Sequence, residues 1–229
     1  MEWVYLEETD STNRVAKALA RQGAPHGTAV TALRQNAGRG RLGRAFFSPE
    51  GGIYLSMILR PDLAPVERTL LTPMAAVAVC RAVEKLCGLS PRIKWVNDLY
   101  LRDKKLCGIL CEAADDAVIV GIGLNYAMPP EGFPADLSAI ALYPPEGGPV
   151  SREELAKAIA EAVLNADPGG CMAEYRARNL VPGKPVTVYP IGGQPYSALA
   201  KEIDDRGRLV VQTNDKTLTL DSGEVSVRF

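Results

Sequence analysis

The chain predicts an α+β fold: a mixed sheet backed by helices over residues 1–180, then a small all-β domain over residues 181–229. Three observations carry this. Short β-rich runs alternate with amphipathic helical stretches through most of the chain. Between residues 92 and 126, β segments follow one another across short links, which favours antiparallel neighbours. From Pro182 onward the pattern changes to five short β runs separated by GG, DDRG, ND and DSG turns, the spacing of a small barrel.

Each element has its own signal. WVYL (3–6) is a short strand. DSTNRVAKALARQG (10–23) is a helix, capped by Asp10 or Ser11, with Val15 and Leu19 on one face and Gly23 at its end. GTAVTALR (27–34) and GGIYLSMIL (51–59) are strands, the second with one buried face that carries Tyr54 or Leu55 according to register. A long helix falls within Val66–Leu86. RIKWV (92–96), DLYLR (98–102), KLCGILCEA (105–113) and AVIVGIGLNY (117–126) are the closely linked strands. Residues 127–150 hold six prolines and form a loop. SREELAKAIAEAVLNA (151–166) opens on a capping box, Ser151 with Glu154, and carries an apolar stripe at Leu155, Ala158, Ile159, Ala162 and Val163. A further helix covers 171–179.

Bulk properties narrow the function. A net charge of −1 argues against a chain that coats nucleic acid, so positive charge that does occur is local. The five cysteines form no C-x-x-C pair, and one histidine, His26, leaves no zinc set; the thiols suit a reducing compartment. MEWVYLEETD has acids where a signal peptide needs a basic and then an apolar segment, and no apolar run approaches the ~18 residues that span a bilayer. The expectation is a cytoplasmic protein without a membrane anchor.

Local positive charge sits in QNAGRGRLGRAFFS (35–48). From Thr28 to Pro49 there are four arginines, Arg34, Arg39, Arg41 and Arg44, and no Asp or Glu. Glycine-loosened backbone with exposed N–H groups can wrap oxyanions, and arginine bonds phosphate and carboxylate alike. The anion is a nucleotide, a nucleic-acid backbone or a carboxylate substrate. The segment is neither a P-loop nor a dinucleotide fingerprint. Lys94, Asn97, Asp98 and Lys105 cluster around the tight turns of residues 93–110, and Gly121 and Gly123 interrupt a strand, where close approach by a ligand is one explanation.

Taken in order, DSTN (10–13), HGT (26–28), QNAGRGRLGRAFFS (35–48), GIYLSMIL (52–59), KWVNDLYLRDKKLCGIL (94–110), VGIGLNY (120–126) and SGEVSVR (222–228) make the chain resemble the biotin protein ligases. The resemblance covers nearly the whole chain. It implies a catalytic domain like the class II aminoacyl-tRNA synthetases and biotin synthetases, followed by a C-terminal SH3-like β-barrel that helps position ATP or the carrier. It also implies a two-step reaction: biotin is activated by ATP as biotinoyl-5′-AMP, then passed to a lysine of a biotin carboxyl carrier protein, a part of acetyl-CoA carboxylase or a related carboxylase. Two positions depart from the family pattern: Val96 stands where proline is usual, and Phe46 where tryptophan is usual.

By the same resemblance, Arg39, Arg41 and Lys105 carry the catalysis by gathering positive charge where biotin's carboxylate meets the α-phosphate. Ser11, Thr12, Asn13, Gln35, Gly38, Gly121 and Gly123 join Arg39 and Lys105 around biotin. Arg39, Arg41, Arg44, Phe46, Asn97 and Asn125 serve ATP and the adenylate. Asp98 orients the acceptor lysine or helps to hold Mg²⁺, which accompanies ATP without an assigned protein ligand set. The arginine loop acts as a flap that is mobile when empty, and residues 128–143 order over the adenine. His26 is structural. The signature begins at Asp10, leaving no room for the helix-turn-helix domain some relatives carry, so no DNA is expected as a partner; a homodimer is compatible with the sequence, which does not give the oligomeric state. Two rival readings stand beside this one. A lipoate ligase would share the fold without the GRGRxGR loop. An RNA-binding module would need a basic barrel, whereas residues 181–229 hold six Lys or Arg against six Asp or Glu.

Overall fold

Strand β1 (Trp3–Thr9) lies parallel to β2 (Ala29–Gln35), and helix α1 (Thr12–Arg21) makes the crossover that a parallel pair requires. The computed structural model describes residues 1–221 and the backbone of 225–228; residues 222–224, the start of the tail segment singled out above, and residue 229 lie outside the described residues. β1 outlasts the expected WVYL because pairing continues through Glu8 opposite Arg34 and Thr9 opposite Gln35, with an Arg34–Glu8 ion pair across it. Arg34 also reaches Glu50, so it braces the base of the arginine loop.

β3 (Ile53–Leu59), β4 (Arg92–Lys94), β5 (Asp98–Leu101), β6 (Lys104–Ala114) and β7 (Ala117–Leu124) complete a seven-stranded mixed sheet, in the order β1-β2-β3-β7-β6-β5-β4. All pairs except β1–β2 are antiparallel. Helices α2 (Leu71–Cys87) and α3 (Arg152–Leu164) pack together beneath the sheet, where Leu55, Met57, Val120 and Ile122 meet them in one core. On the opposite face, Val30, Ile58 and Ile119 pack against Ala16 and Ala20 of α1. Val15 and Leu19 only flank that contact.

β3 corrects an expectation. All seven of its residues are buried, because a central strand between two helical layers has no solvent face. α3 does begin at its capping box, with Ser151 Oγ accepting from Glu154 N at 3.1 Å. α2 is preceded by a 3₁₀ turn at Glu67–Leu70 and ends at Gly88, whose φ of 65° suits glycine.

RIKWV was expected to be strand throughout, yet β4 stops at Lys94. Trp95 and Val96 leave the ladder for distant partners. Trp95 Nε1 donates to Gly207 O at 2.9 Å, and Tyr175 Oη, from α4 (Met172–Arg178), donates to Val96 O at 2.8 Å. Gly207 belongs to the turn between two strands of the second sheet. That sheet comprises β8 (Pro185–Pro190), β9 (Tyr196–Ile203), β10 (Leu209–Gln212), β11 (Thr217–Leu220) and β12 (Val225–Arg228), all antiparallel, in the order β11-β10-β9-β8-β12. Val188, Ala200, Leu209 and Val211 are fully buried and continuous with the main core. The expected five-stranded C-terminal unit is therefore docked on the turn that follows β4.

Candidate active site

Helix α1 covers only part of its sheet face. Beyond its first residues the sheet is floored by glycines: Gly108 pairs with Gly123 across β6 and β7, and Gly121 lies opposite Leu110. A Cβ on Gly121 would stand 2.1 Å from Asn13 Oδ1, and one on Gly123 2.5 Å from the Phe46 ring. Side chains from other elements occupy the space that a β-carbon would fill, which is why strand glycines are needed here. Above the floor opens a pocket of about 820 Å³, including the part that faces solvent.

One end of the pocket is a polar network. Thr12 N and Oγ1 both donate to Gln35 Oε1, at 2.9 and 3.1 Å, and Gln35 Nε2 donates to Ser48 Oγ at 2.9 Å. Ser56 Oγ lies 2.8 Å from Thr12 Oγ1 and 2.6 Å from Asn13 Oδ1. Ser11 occupies the N-cap position of α1, but its hydroxyl makes no capping bond, contrary to the capping expectation; Asp10 Oδ1 instead accepts from Ser11 N at 2.8 Å. The Ser11 side chain is buried at the pocket wall instead.

The other end is basic. Residues 38–46 form a small hairpin: Arg39 pairs with Ala45, Gly40 N donates to Arg44 O at 2.7 Å, and Phe46 N to Gly38 O at 2.9 Å. The turn passes through Leu42 (φ 56°) and Gly43 (φ 73°). Arg39, Arg41, Arg44 and Lys105 line the pocket, against a single lining carboxylate, Asp98, among the described residues. Lys105 Nζ is 2.8 Å from Asp98 Oδ1 and 5.7 Å from the Phe46 ring centroid. Arg41 Nη1 donates to Asn97 Oδ1 at 3.3 Å. Burial pulls the Arg41 guanidinium below its ordinary value; Asp98 opposes this and Arg44 adds to it. Four cations facing one carboxylate in partly dehydrated surroundings favour an incoming anion.

Of the residues singled out in the sequence, Ser11, Thr12, Asn13, Gln35, Arg39, Arg41, Arg44, Phe46, Asn97, Asp98, Lys105, Gly121 and Gly123 all line this one pocket. Gly38 and Asn125 do not. Gly38 is the foot of the hairpin, where a Cβ would meet Ser48 Oγ at 2.4 Å. Asn125 lies behind the wall, its Nδ2 donating to Lys105 O at 3.3 Å and Ile140 O at 3.1 Å. The sequence reading missed Ser56, Tyr54 and Gly108. A serine inside the apolar run GIYLSMIL was the available signal, since a fully buried hydroxyl must find partners. His26 Nδ1 accepts from Arg60 N at 3.0 Å, away from the pocket. Among the described residues, no cluster of three His, Cys, Asp or Glu could hold a metal, and no helix is long and apolar enough to cross a membrane.

The proline-rich segment borders the basic end. Lys105 N donates to Ser138 O, and Ile140 N to Lys105 O, both at 3.0 Å. The Phe47 and Phe133 rings meet edge to face at 6.5 Å, joining this segment to the base of the hairpin.

The profile of the biotin/lipoate A/B protein ligase family matches residues 5–125, and that of the biotin protein ligase C terminal domain matches residues 182–228. The bifunctional ligase/repressor BirA of Bacillus subtilis is 45% identical over 145 residues, 60% of this chain but only 44% of that relative's length. The biotin–[acetyl-CoA-carboxylase] ligase of Mycobacterium tuberculosis is 34% identical over 237 residues, 97% of this chain and 89% of its own. Among solved structures, the biotin protein ligase from Aquifex aeolicus in complex with biotin and ATP superposes with a TM-score of 0.83 at 26% identity, covering 99% of this chain and 98% of that one.

Proposed function

The chain belongs to the biotin/lipoate A/B protein ligase family, and from that premise we propose that it is a biotin–[biotin carboxyl carrier protein] ligase. One observation carries the proposal: Arg39, Arg41, Arg44 and Lys105 converge on the same pocket as the Thr12–Asn13–Gln35–Ser56 polar network. The first group suits two anions brought together. The second suits a compact ring of donors and acceptors such as a ureido group.

In the first step, a biotin carboxylate oxygen attacks the α-phosphorus of ATP, the bond to the bridging β-phosphate oxygen breaks, and pyrophosphate leaves with biotinoyl-5′-AMP formed. The approach of two anions is the barrier, and Arg39, Arg41 and Lys105 lower it by charge already in place. Phe46 offers a ring face above the Gly108–Gly123 floor, with Asn97 beside it on the adenylate side. In the second step, a lysine amine of the carrier protein attacks the acyl carbon and AMP departs. Among the described residues, Asp98 is the one lining carboxylate able to orient that amine, once the ligand's anions have drawn Lys105 from it.

Mg²⁺ would enter with ATP, held mainly by phosphates and water, as one nearby carboxylate is enough for it. We place residues 1–180 as the catalytic domain and 181–229 as the barrel, an assignment supported by the two separate sheets. The work is assigned to the cytoplasm, where the carrier subunit of acetyl-CoA carboxylase or a related carboxylase is the partner and DNA is not.

The test is biotin-dependent exchange of labelled pyrophosphate into ATP, with lipoate as the parallel substrate. Exchange with biotin alone is expected. Exchange with lipoate alone would keep the charge clamp and discard the ureido assignment, while silence with both, in folded protein, would overturn the ligase reading.

A further inference from the structure

Asn13 has two N–H donors and one acceptor oxygen, and which of them faces the ligand decides what it can recognise. Its Nδ2 donates to Glu112 Oε2 at 2.7 Å and to Leu110 O at 3.3 Å. Both partners only accept, so the amide cannot turn over. Its Oδ1 accepts from Ser56 Oγ and rests against the glycine floor, at the place a Gly121 side chain would need. The hydrogen-bonding capacity left to Asn13 is one acceptor lone pair.

We propose that Glu112, which is not part of the pocket wall, is a positioning residue that sets the recognition polarity of the site by holding the Asn13 carbonyl oxygen toward the ligand. The second carboxylate oxygen of Glu112 is 2.6 Å from Lys17 Nζ, one turn along α1 from Asn13. Burial would raise the Glu112 carboxyl, but hydrogen bonds from Lys17 and Asn13 and the field of Arg39 more than offset it. The charged, acceptor-only form is thus maintained. The ligand class selected is one with an N–H at the end opposite its acid group. On the ligase reading above, on which this inference rests, that donor is a ureido N–H of biotin; the dithiolane of lipoate has none.

The test is calorimetric titration of biotin, without ATP, into the full-length protein and its variants. Glu112→Gln should weaken binding about tenfold, because the introduced amide can present its own N–H₂ and let Asn13 reverse. Turnover at saturating biotin should be unchanged, separating an orienting role from a general structural one. Lys17→Met, which leaves the Glu112–Asn13 bond in place, should change affinity less than about twofold. Asn13→Asp sets two carboxylates face to face and should weaken binding more than Glu112→Gln does. Adding Glu112→Gln to it should recover part of the loss, since the introduced amide can donate to the introduced carboxylate. Wild-type affinity in Glu112→Gln, or no recovery in the double variant, overturns the proposal. If Glu112→Gln does not fold, Glu112→Asp, one methylene short of Asn13, takes its place with the same expectation. A wild-type protein that does not bind biotin overturns the ligase reading and this inference with it; normal wild-type binding with an indifferent Glu112→Gln overturns this inference alone.

Discussion

Lys105 Nζ and Asp98 Oδ1 are 2.8 Å apart in a pocket whose other lining charges, among the described residues, are all arginines. The ion pair holds the ammonium at the basic end of the pocket and balances its charge there. On the proposed ligase reading, the ammonium would trade this carboxylate for the anions of the ligand. Replacing Lys105 by Met keeps the length and removes the charge. Exchange of pyrophosphate into ATP should then fall by about 10²–10³ at saturating substrates, the usual scale for losing one preorganised electrostatic contact. A fall confined to carrier biotinylation, with exchange intact, would move Lys105 to the second step.

Arg39 is expected to behave differently. It sits on the hairpin, paired with Ala45, rather than on the sheet. Arg39→Ala should form adenylate more slowly than the wild type but much faster than the Lys105 variant, and its chief defect should be poor retention of the adenylate, since the hairpin loses an anchor to the bound anion. The assay is biotin labelling of an unrelated bystander protein, which should rise while carrier-specific labelling drops. Equal losses at both steps in both variants would refute this division between Arg39 and Lys105.

The floor supplies a steric test. A methyl group on Gly123 would lie 2.5 Å from the Phe46 ring, and one on Gly108 3.1 Å from it. Gly123→Ala must therefore push the ring out of its place, and the KM for ATP should rise about tenfold. Gly108→Ala, which needs only a few tenths of an ångström, should be milder. Phe46→Ala combined with Gly123→Ala should be no worse than Phe46→Ala alone, because the clash has gone. Additive losses in that cycle would mean that Gly123 matters for some reason other than the ring.

What could be foreseen from sequence follows the distance over which each feature is decided. The α3 start was legible because Ser151 and Glu154 are three residues apart and make their own bond. The gathering of Arg39, Asn97 and Lys105 followed from motif resemblance, though nothing local to each motif places them in one pocket. The end of β4 was not legible, because Trp95 finds its acceptor 112 positions away at Gly207. Ser56 was hidden for the same reason: its partners Thr12 and Asn13 are more than forty residues back, and a lone serine in an apolar strand does not name them. The buried state of both β3 faces depends on which layers cover the sheet, information held in α1 and α3 rather than in β3.

Ordering of the proline-rich segment can now be divided. Ser138 and Ile140 bond the backbone of Lys105, and Leu142 and Tyr143 bond Asn125 and Tyr126, so this half is strapped to β6 and to the residues that follow β7 before any ligand arrives. Residues 129–137 lack that strap to the sheet, touching the arginine segment through Phe133. On addition of biotin and ATP, hydrogen exchange should slow mainly within 129–137 and in the hairpin, with little change over 138–143. Unchanged exchange throughout 128–143 would remove this segment from the adenylate cover.

Acid stability should report on a cluster that does not line the pocket. Arg178, on α4, bonds Glu84 of α2 through two nitrogens, at 2.8 and 2.6 Å, and Glu174 at 2.7 Å, while Arg81 also holds Glu174. Hydrogen bonding by Arg178 leads the causes that hold the Glu84 carboxyl below its ordinary 4.5. Burial pushes Glu174 upward, but Arg81 and Arg178 outweigh it and leave that carboxyl lowered as well. Carboxyls with depressed values in the folded state bind protons more readily when unfolded, so stability from this source is complete above about 4.5 and is lost as pH falls through the lower folded values. Melting temperature should therefore decline on the acid side of pH 4.5, as far as these groups govern it. Arg178→Met should melt lower than the wild type near neutral pH, with the gap narrowing in acid, because Glu84 loses its arginine and Glu174 keeps only Arg81, so both carboxyls gain less from being charged. A gap that stayed constant with pH would assign the loss to packing of the Arg178 side chain between α2 and α4 instead.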